Sequence, residues 1–279
     1  MNILVTSGGT SEKIDNVRKI TNSSTGKLGC TIAEAFAVFE DVEKIWYICG
    51  ENAPVPQCEK VEIITIESTE DLLKAALSVC GRNIIDAVVH AMAVSDYYVK
   101  KVSTIELISE SVAEQLHEMD REALRLFDGP RLSLRERLFN AVRTTSGLNI
   151  YSKISSDKDG LVLFLDKTPK VLPYFRGMLP LGTIVGFKLL DSVDREFLIS
   201  NAYQLLIQNN CDFVLANDLS EVEAVKHVGH LIDRNQTVVT YNTKAEIAEG
   251  IAKAVLEYHH APDQESDDIN AEVSLPQSK

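Results

Sequence analysis

Two adjoining stretches decide the fold: Asn2-Ile3-Leu4-Val5-Thr6-Ser7-Gly8-Gly9-Thr10 and, just beyond, Arg18-Lys19-Ile20-Thr21-Asn22-Ser23-Ser24-Thr25-Gly26-Lys27-Leu28-Gly29. The first is an apolar run ending in a glycine turn. The second is a polar Ser/Thr/Gly segment that opens a helical pattern. A strand, a glycine turn and a helix start are how an α/β protein builds an anion pocket. Gly8 and Gly9 reach backbone angles closed to other residues and let a ligand approach the main chain. The first turn of the next helix adds unpaired N–H groups and the positive end of its dipole. The pair predicts a phosphate-bearing small-molecule ligand.

The alternation continues outward from there. Strand patterns fall at 3–6, 44–49, 61–66, 84–91, 161–165, 183–187, 212–216, 227–232 and 238–241, and helical patterns at 28–40, 68–80, 168–175, 194–209 and 244–259. Ser68-Thr69-Glu70-Asp71 predicts a capped helix start. Strands alternating with helices predict an α/β, doubly wound, Rossmann-like fold, its mostly parallel sheet flanked by helices. Asp233-Arg234-Asn235-Gln236 reads as a hairpin joining the last two strands, which adds an antiparallel edge. Residues 1–260 read as one domain, 102–148 as a helical insertion broken at Asp128-Gly129-Pro130, and 261–279 as a disordered acidic tail.

Apolar residues make up 45% of the 279, enough for a sizeable core, and the formal net charge is −13. An acidic field of that size repels DNA, RNA and anionic lipid, so neither nucleic acid nor membrane is an expected partner. The five cysteines form no CxxC and no zinc spacing; Cys49 and Cys211 read as small core residues. No apolar stretch is long enough to span a bilayer and no charged-then-apolar leader opens the chain, so a cytoplasmic setting is expected.

Beside the Asn22–Lys27 run, five further segments carry polar groups where a ligand would lie. Asn22 through Lys27 is not a Walker A loop, which needs glycine where Thr21 stands, nor a G-x-G-x-x-G dinucleotide turn. An ordinary helix cap uses one hydroxyl or amide, and four come in a row here. His90-Ala91-Met92-Ala93-Val94-Ser95-Asp96-Tyr97 is a buried strand ending in small residues and an acid, at the carboxyl edge where open α/β sheets bind ligands. Asp96 suits a ribose hydroxyl or a metal ion, or simply caps a turn. Ser152 through Gly160 offers Lys153 and Lys158 on a loop that could close over a triphosphate, although loop lysines are mostly solvated. Thr168-Pro169-Lys170 reads as a helix start, while Gly186-Phe187-Lys188 and Ala216-Asn217-Asp218 end strands on the same face.

Taken in order, these words resemble one family, phosphopantothenate–cysteine ligase, in its stand-alone bacterial, CTP-dependent form. The matching words are 6–10, 18–29, 93–97, 153–156, 167–170, 186–190 and 216–219. The resemblance implies that 4′-phosphopantothenate, CTP and cysteine are substrates, that magnesium assists, and that the protein is a homodimer. It implies catalytic roles for Asn22, which steadies an acyl-cytidylate, for Arg18 in the second half-reaction, and for Lys153 on the triphosphate. Gly8, Gly9, Ser23, Ser24, Gly26 and Lys27 would take the substrate phosphate or border its pocket. Met92, Ala93, Asp96, Pro169, Lys170, Val171, Phe187 and Lys188 would meet the nucleotide, with Asp96 the metal candidate. The dimer contact is expected at the apolar edge around 228–241.

The chain departs from the family in two places. Relatives carry lysines on the helix before Ala216-Asn217-Asp218, where this one has Gln204, Leu205, Gln208 and Asn209, and Lys188 is the expected substitute. The 102–148 segment is also long. Two rivals follow: a non-catalytic nucleotide- or phosphopantothenate-binding relative, and a nicotinamide-dependent reductase, which lacks the glycine fingerprint.

Overall fold

In the computed structural model, which describes residues 1–117, 131–222 and 227–260, an eight-stranded sheet forms the centre. The strands are β1 (Asn2–Ser7), β4 (Lys44–Gly50), β5 (Val61–Ile66), β6 (Ala87–His90), β9 (Thr183–Leu190), β10 (Phe213–Asp218), β11 (Gly229–Asp233) and β12 (Val238–Tyr241). They lie in the order β12-β11-β10-β9-β6-β1-β4-β5. Every pairing is parallel except β10–β11 and β11–β12. This is the doubly wound, Rossmann-like sheet with an antiparallel edge that the alternation predicts. The chain runs from β1 outward to β4 and β5, then returns to place β6 on the other side of β1. The order in which strands are added reverses between β1 and β6, which run parallel, so a crevice opens beyond their carboxyl ends.

Side chains of each central strand alternate between two faces. Ile3 and Val5 enter a core closed by α1 (Lys27–Ala37) and α7 (Lys244–His260), with Ile32, Phe36, Ile247 and Ile251 fully buried. Leu4 and Val88 enter the opposite core, closed by α2 (Thr69–Arg82), α5 (Leu172–Met178) and α6 (Arg195–Gln208). Helix α2 starts as predicted: Ser68 Oγ accepts from Asp71 N at 3.1 Å and Asp71 Oδ2 accepts from Ser68 N at 3.0 Å, a capping box. Cys49 and Cys211 are core residues, and burial pushes the Cys211 thiol up to about 12.

Several expectations shift. The strand expected from 84 begins at Ala87, because Ile84 is 80% exposed beyond the sheet. The helix expected from Thr168 begins at Leu172, with Pro173 in its first turn; Thr168 Oγ1 instead donates to Ser95 O, which ties it to the β6 side. The insertion also starts later than 102. Residues 102–104 belong to β7 (Tyr97–Thr104), which pairs antiparallel with β8 (Leu161–Lys167) in a ribbon outside the main sheet. Only then come α3 (Ile105–His117) and α4 (Arg131–Thr144), joined by Ser111 Oγ donating to Ala141 O at 3.0 Å. Lys101 Nζ donates to Thr145 O at 2.8 Å and Arg143 O at 2.9 Å, closing the end of α4. The expected break at 128–130 and the tail at 261–279 lie outside the described residues.

A second ribbon, β2 (Ser11–Lys13) with β3 (Lys19–Thr21), fills the chain between the glycine turn and Asn22. It has its own small core: Ile14 and Ile20 pack against Val99, Val102 and Ile154, joining this hairpin to the β7–β8 ribbon and the 148–154 segment.

Candidate functional site

Backbone contact builds the crevice. Gly8 and Gly26 both have positive φ, 81° and 70°, and face each other: a Cβ on Gly26 would lie 3.2 Å from Gly8 Cα and 2.7 Å from Ala53 Cβ. Gly26 is the N-cap of α1 and, having no side chain, makes no cap hydrogen bond to the first turn. Ser24 Oγ and Thr25 Oγ1 reach the amides of Gly26 and Lys27 only at 3.4 Å each. The row of hydroxyls therefore does not close the helix start in the ordinary way, and its amides keep their capacity for an anion.

The carboxyl ends of β1 and β6 meet at the reversal point. Gly9 and Ala93 form an isolated parallel bridge; Ala93 N donates to Gly8 O at 2.8 Å and Thr10 N to Ala93 O at 3.2 Å. Asn22 Nδ2 donates to Val94 O at 2.9 Å, which pins the 22–26 loop over that bridge and leaves the amide a second N–H. A cavity of about 300 Å³ opens beside it, lined by Gly9, Asn22, Ser23, Ser24, Asn52 and Lys19 among others. Beneath lies a hydroxyl network that the sequence reading missed. Thr10 Oγ1 accepts from Ser95 N at 2.8 Å, and Glu12, only 7% exposed, accepts from Thr69 N at 3.0 Å and Thr69 Oγ1 at 2.8 Å.

The expected nucleotide side divides. Asp96 and Lys170 are exposed and ion-paired, and Thr168 N donates to Asp96 O at 3.0 Å, so 168–170 and the segment that follows β6, up to Asp96, form one rim with Pro169 on it. Met92 and Val171, at 6% and 3% exposure, are corrections: their side chains fill the α2/α5/α6 core and hold up the rim from below. Phe187 packs against the opposite core, so it does not face Val171 across a common pocket. Lys188 alternates with Phe187 and shares the face of α6. Among the described residues, Lys27, Lys153 and Lys188 pair with no carboxylate. Asn217 and Asp218 serve the fold. Asn217 Nδ2 donates to Val228 O at 2.6 Å, and Asp218 accepts from Ser192 N, Val193 N and Ser220 N, which together with the Ser220 hydroxyl hold its carboxyl far below the usual range.

Magnesium fits only in part. Among the described residues no group of three or more His, Cys, Asp or Glu could hold a metal ion, and Asp96 already has Lys170 as its partner. Magnesium is commonly held by one or two carboxylates plus substrate phosphates.

Arg18 and the Ile154 backbone next to Lys153, far apart in sequence, come together through a residue that the sequence reading passed over. Asp15 accepts from Arg18 Nη1 at 3.0 Å and from Ile154 N at 3.1 Å. The N–H groups of Val17, Ile154 and Arg18, Val17 foremost, hold the Asp15 carboxyl below its ordinary value against the opposing effect of burial. Lys153, expected on a loose loop, is thus followed directly by an anchored residue.

The DNA/pantothenate metabolism flavoprotein C-terminal domain family matches residues 1–120 and 148–258, and the gap spans α4. The chain is 33% identical to the DNA/pantothenate metabolism flavoprotein from Streptococcus pneumoniae, whose crystal structure superposes with a TM-score of 0.72 over 93% of this chain and 100% of that one. It is 29% identical over 248 residues to the coenzyme A biosynthesis bifunctional protein CoaBC of Thermococcus kodakarensis, covering 88% of this chain and 49% of that protein. It is 25% identical over 260 residues to the protein of the same name from Methanocaldococcus jannaschii, covering 91% of this chain and 50% of that protein. The chain spans about half the length of these curated relatives. With the glycine turn, the Asn22 loop and the β1–β6 crevice all inside the matched residues, the chain belongs to the DNA/pantothenate metabolism flavoprotein C-terminal domain family.

Proposed function

We propose that this protein is a phosphopantothenate–cysteine ligase that uses CTP to activate the carboxylate of 4′-phosphopantothenate. In the first half-reaction a carboxylate oxygen attacks the α-phosphorus of CTP, the bond to pyrophosphate breaks and an acyl-cytidylate forms. In the second, the cysteine amine attacks the acyl carbon, CMP leaves, and the amine loses a proton as the amide forms.

The observation that carries this reading is the position of Asn22. It sits over the Gly9–Ala93 bridge, between a phosphate-type cradle (Ser23, Ser24, Gly26, Lys27) and a nucleotide-type rim (Ala93, Asp96, Pro169, Lys170). Joining a carboxylate to an α-phosphate requires two anions held at one point, and effective molarity from such placement is a large part of the rate. A neutral amide there stabilises an acyl or phosphoryl oxygen without adding charge. Lys153 and Lys170 take the triphosphate, and Arg18 supports the amide-forming step. Magnesium, carried in on CTP, offsets charge at the α-phosphate and the departing pyrophosphate. Lys188, on the α6 face, replaces the charge absent from Gln204 and Gln208. The curated relatives, named for coenzyme A biosynthesis, support the substrate class. The protein acts in the cytoplasm as a homodimer paired along its β12 edge, away from membranes and nucleic acid.

The deciding experiment incubates the full chain with CTP, magnesium and 4′-phosphopantothenate, with and without cysteine. Pyrophosphate release, and an amide product of the expected mass only when cysteine is present, are the expected results. Nucleotide binding with neither product favours the binding-only relative instead, the reading that the missing α6 lysines suggest.

A further inference from the structure

Asp15 makes more contacts than its turn requires. It lies between β2 and β3 with no exposed side-chain surface. Oδ1 accepts from Val17 N and Arg18 N, both at 2.8 Å, which closes the turn. Oδ2 does nothing for the turn. It accepts from Arg18 Nη1 at 3.0 Å and from Ile154 N at 3.1 Å, across 139 positions of sequence. Arg18 Nη1 also reaches Ile154 O at 3.4 Å, so one carboxylate–guanidinium pair grips Ile154 by both its amide and its carbonyl. The Ile154 side chain, 5% exposed, is seated in the small core with Ile14 and Ile20 of the same hairpin. Asn16 Nδ2 adds a bond to Tyr151 O at 2.6 Å. The residue held this way directly follows Lys153, and the hairpin that holds it leads directly into Asn22.

We propose that Asp15 is a positioning residue that locks Arg18 and the Lys153 segment to each other, so that both cations meet one ligand at a fixed separation. The proposal rests on the ligase reading for the identity of that ligand and deepens it. Asp15 touches no ligand, because its oxygens are sealed by protein N–H groups. Both half-reactions depend on it, one through Lys153 on the triphosphate and one through Arg18 at amide formation. A misplacement of about 1 Å in such groups costs about 100-fold in rate.

The test uses the full chain with Asp15→Asn, which keeps volume but turns one acceptor oxygen into an NH2 facing donors. Three readouts follow. Hydrogen exchange at the Ile154 amide should accelerate at least about tenfold, since its acceptor is lost. The Michaelis constant for CTP should rise and amide formation should fall by about 100-fold. The double variant Asp15→Asn, Arg18→Ala should lose amide formation by clearly less than the product of the two single losses, because part of the effect of Asp15 runs through Arg18, and should keep the raised Michaelis constant for CTP, because the rest runs through the Lys153 segment. A purely structural role predicts otherwise: less active protein, an unchanged Michaelis constant and additive losses, and that pattern overturns the proposal. If Asp15→Asn does not fold, Asp15→Ser, which keeps a hydroxyl acceptor for the turn, enters the same three measurements. If wild-type protein releases no pyrophosphate, the ligase reading fails by itself, and exchange decides the clamp: unchanged protection at Ile154 sinks it.

Discussion

At the scale of single residues, the glycine and amide positions are the most exacting. A methyl on Gly26 meets Ala53 Cβ at 2.7 Å on a backbone at φ 70°, so Gly26→Ala combines a clash with left-handed strain. Its expected outcome is a Tm drop corresponding to about 1–3 kcal/mol, read by thermal melting. Asn22→Asp replaces the neutral amide with a second anion beside the acyl-phosphate; pyrophosphate release should persist while amide product falls steeply. Wild-type-like amide formation by that variant refutes the role given to Asn22. His90 gives a pH signature. Its ring lies tilted against Phe175, with centroids 5.1 Å apart, and bonds Thr6 Oγ1 at 2.7 Å, and burial pushes its pKa down to about 4. Above pH 6.5 the imidazole is neutral in both folded and unfolded chains. Below it only the unfolded chain gains the proton, so stability falls between pH 6.5 and 4, by up to about 3 kcal/mol. Melting curves across that range check it: His90→Gln should flatten the fall.

At the scale of elements, local signals suffice where the stabilising partner is close in sequence. The α2 capping box closes within four residues, Ser68 to Asp71, and is legible as a motif. Ser68→Ala should cost about 1 kcal/mol at neutral pH, read by denaturant titration. The Ser68 backbone N–H holds the Asp71 carboxyl below its ordinary value, so this contribution exists above the unfolded carboxylate pKa and is lost as pH falls through the folded one. The elements misread are those whose partners are remote. Residues 102–104 look helical beside the Glu/Arg/Leu pattern that follows, but the strand at Leu161–Lys167 captures them in β7. Thr168-Pro169 looks like a helix start, but Thr168 is taken by Ser95 from another segment, 73 positions away. Hairpin β2–β3 is too short and too polar to announce itself, and its apolar support, Val99, Val102 and Ile154, comes from elsewhere.

At the scale of the whole molecule, the sheet order makes the site. Only because β6 returns to lie beside β1 do the Gly8–Gly9 turn and the Ala93–Asp96 segment become neighbours. Among the described residues no three carboxylate, imidazole or thiol groups form a metal cluster, and the proposed role of magnesium is as an ion carried in on CTP. Chelation of magnesium should therefore abolish pyrophosphate release while leaving the melting temperature unchanged; a large drop in Tm would show a resident structural ion instead. Sedimentation at micromolar concentration should give twice the 30.9 kDa chain mass, and a monomer mass counts against the dimer.

The sequence by itself determined the strand–helix alternation, the glycine turn, the polar run through Asn22 and the antiparallel edge, because each depends on backbone preferences and patterning within a few residues. The tertiary structure alone decided which polar groups share the crevice. It withdrew the Met92 and Val171 side chains into the core and brought in Glu12 and Asp15. A buried carboxylate needs donors to satisfy it, and for Asp15 and Glu12 those include amides 139 and 57 residues away. No local pattern encodes which distant N–H will arrive, since that is fixed only when the hairpin, the ribbon and the sheet pack together.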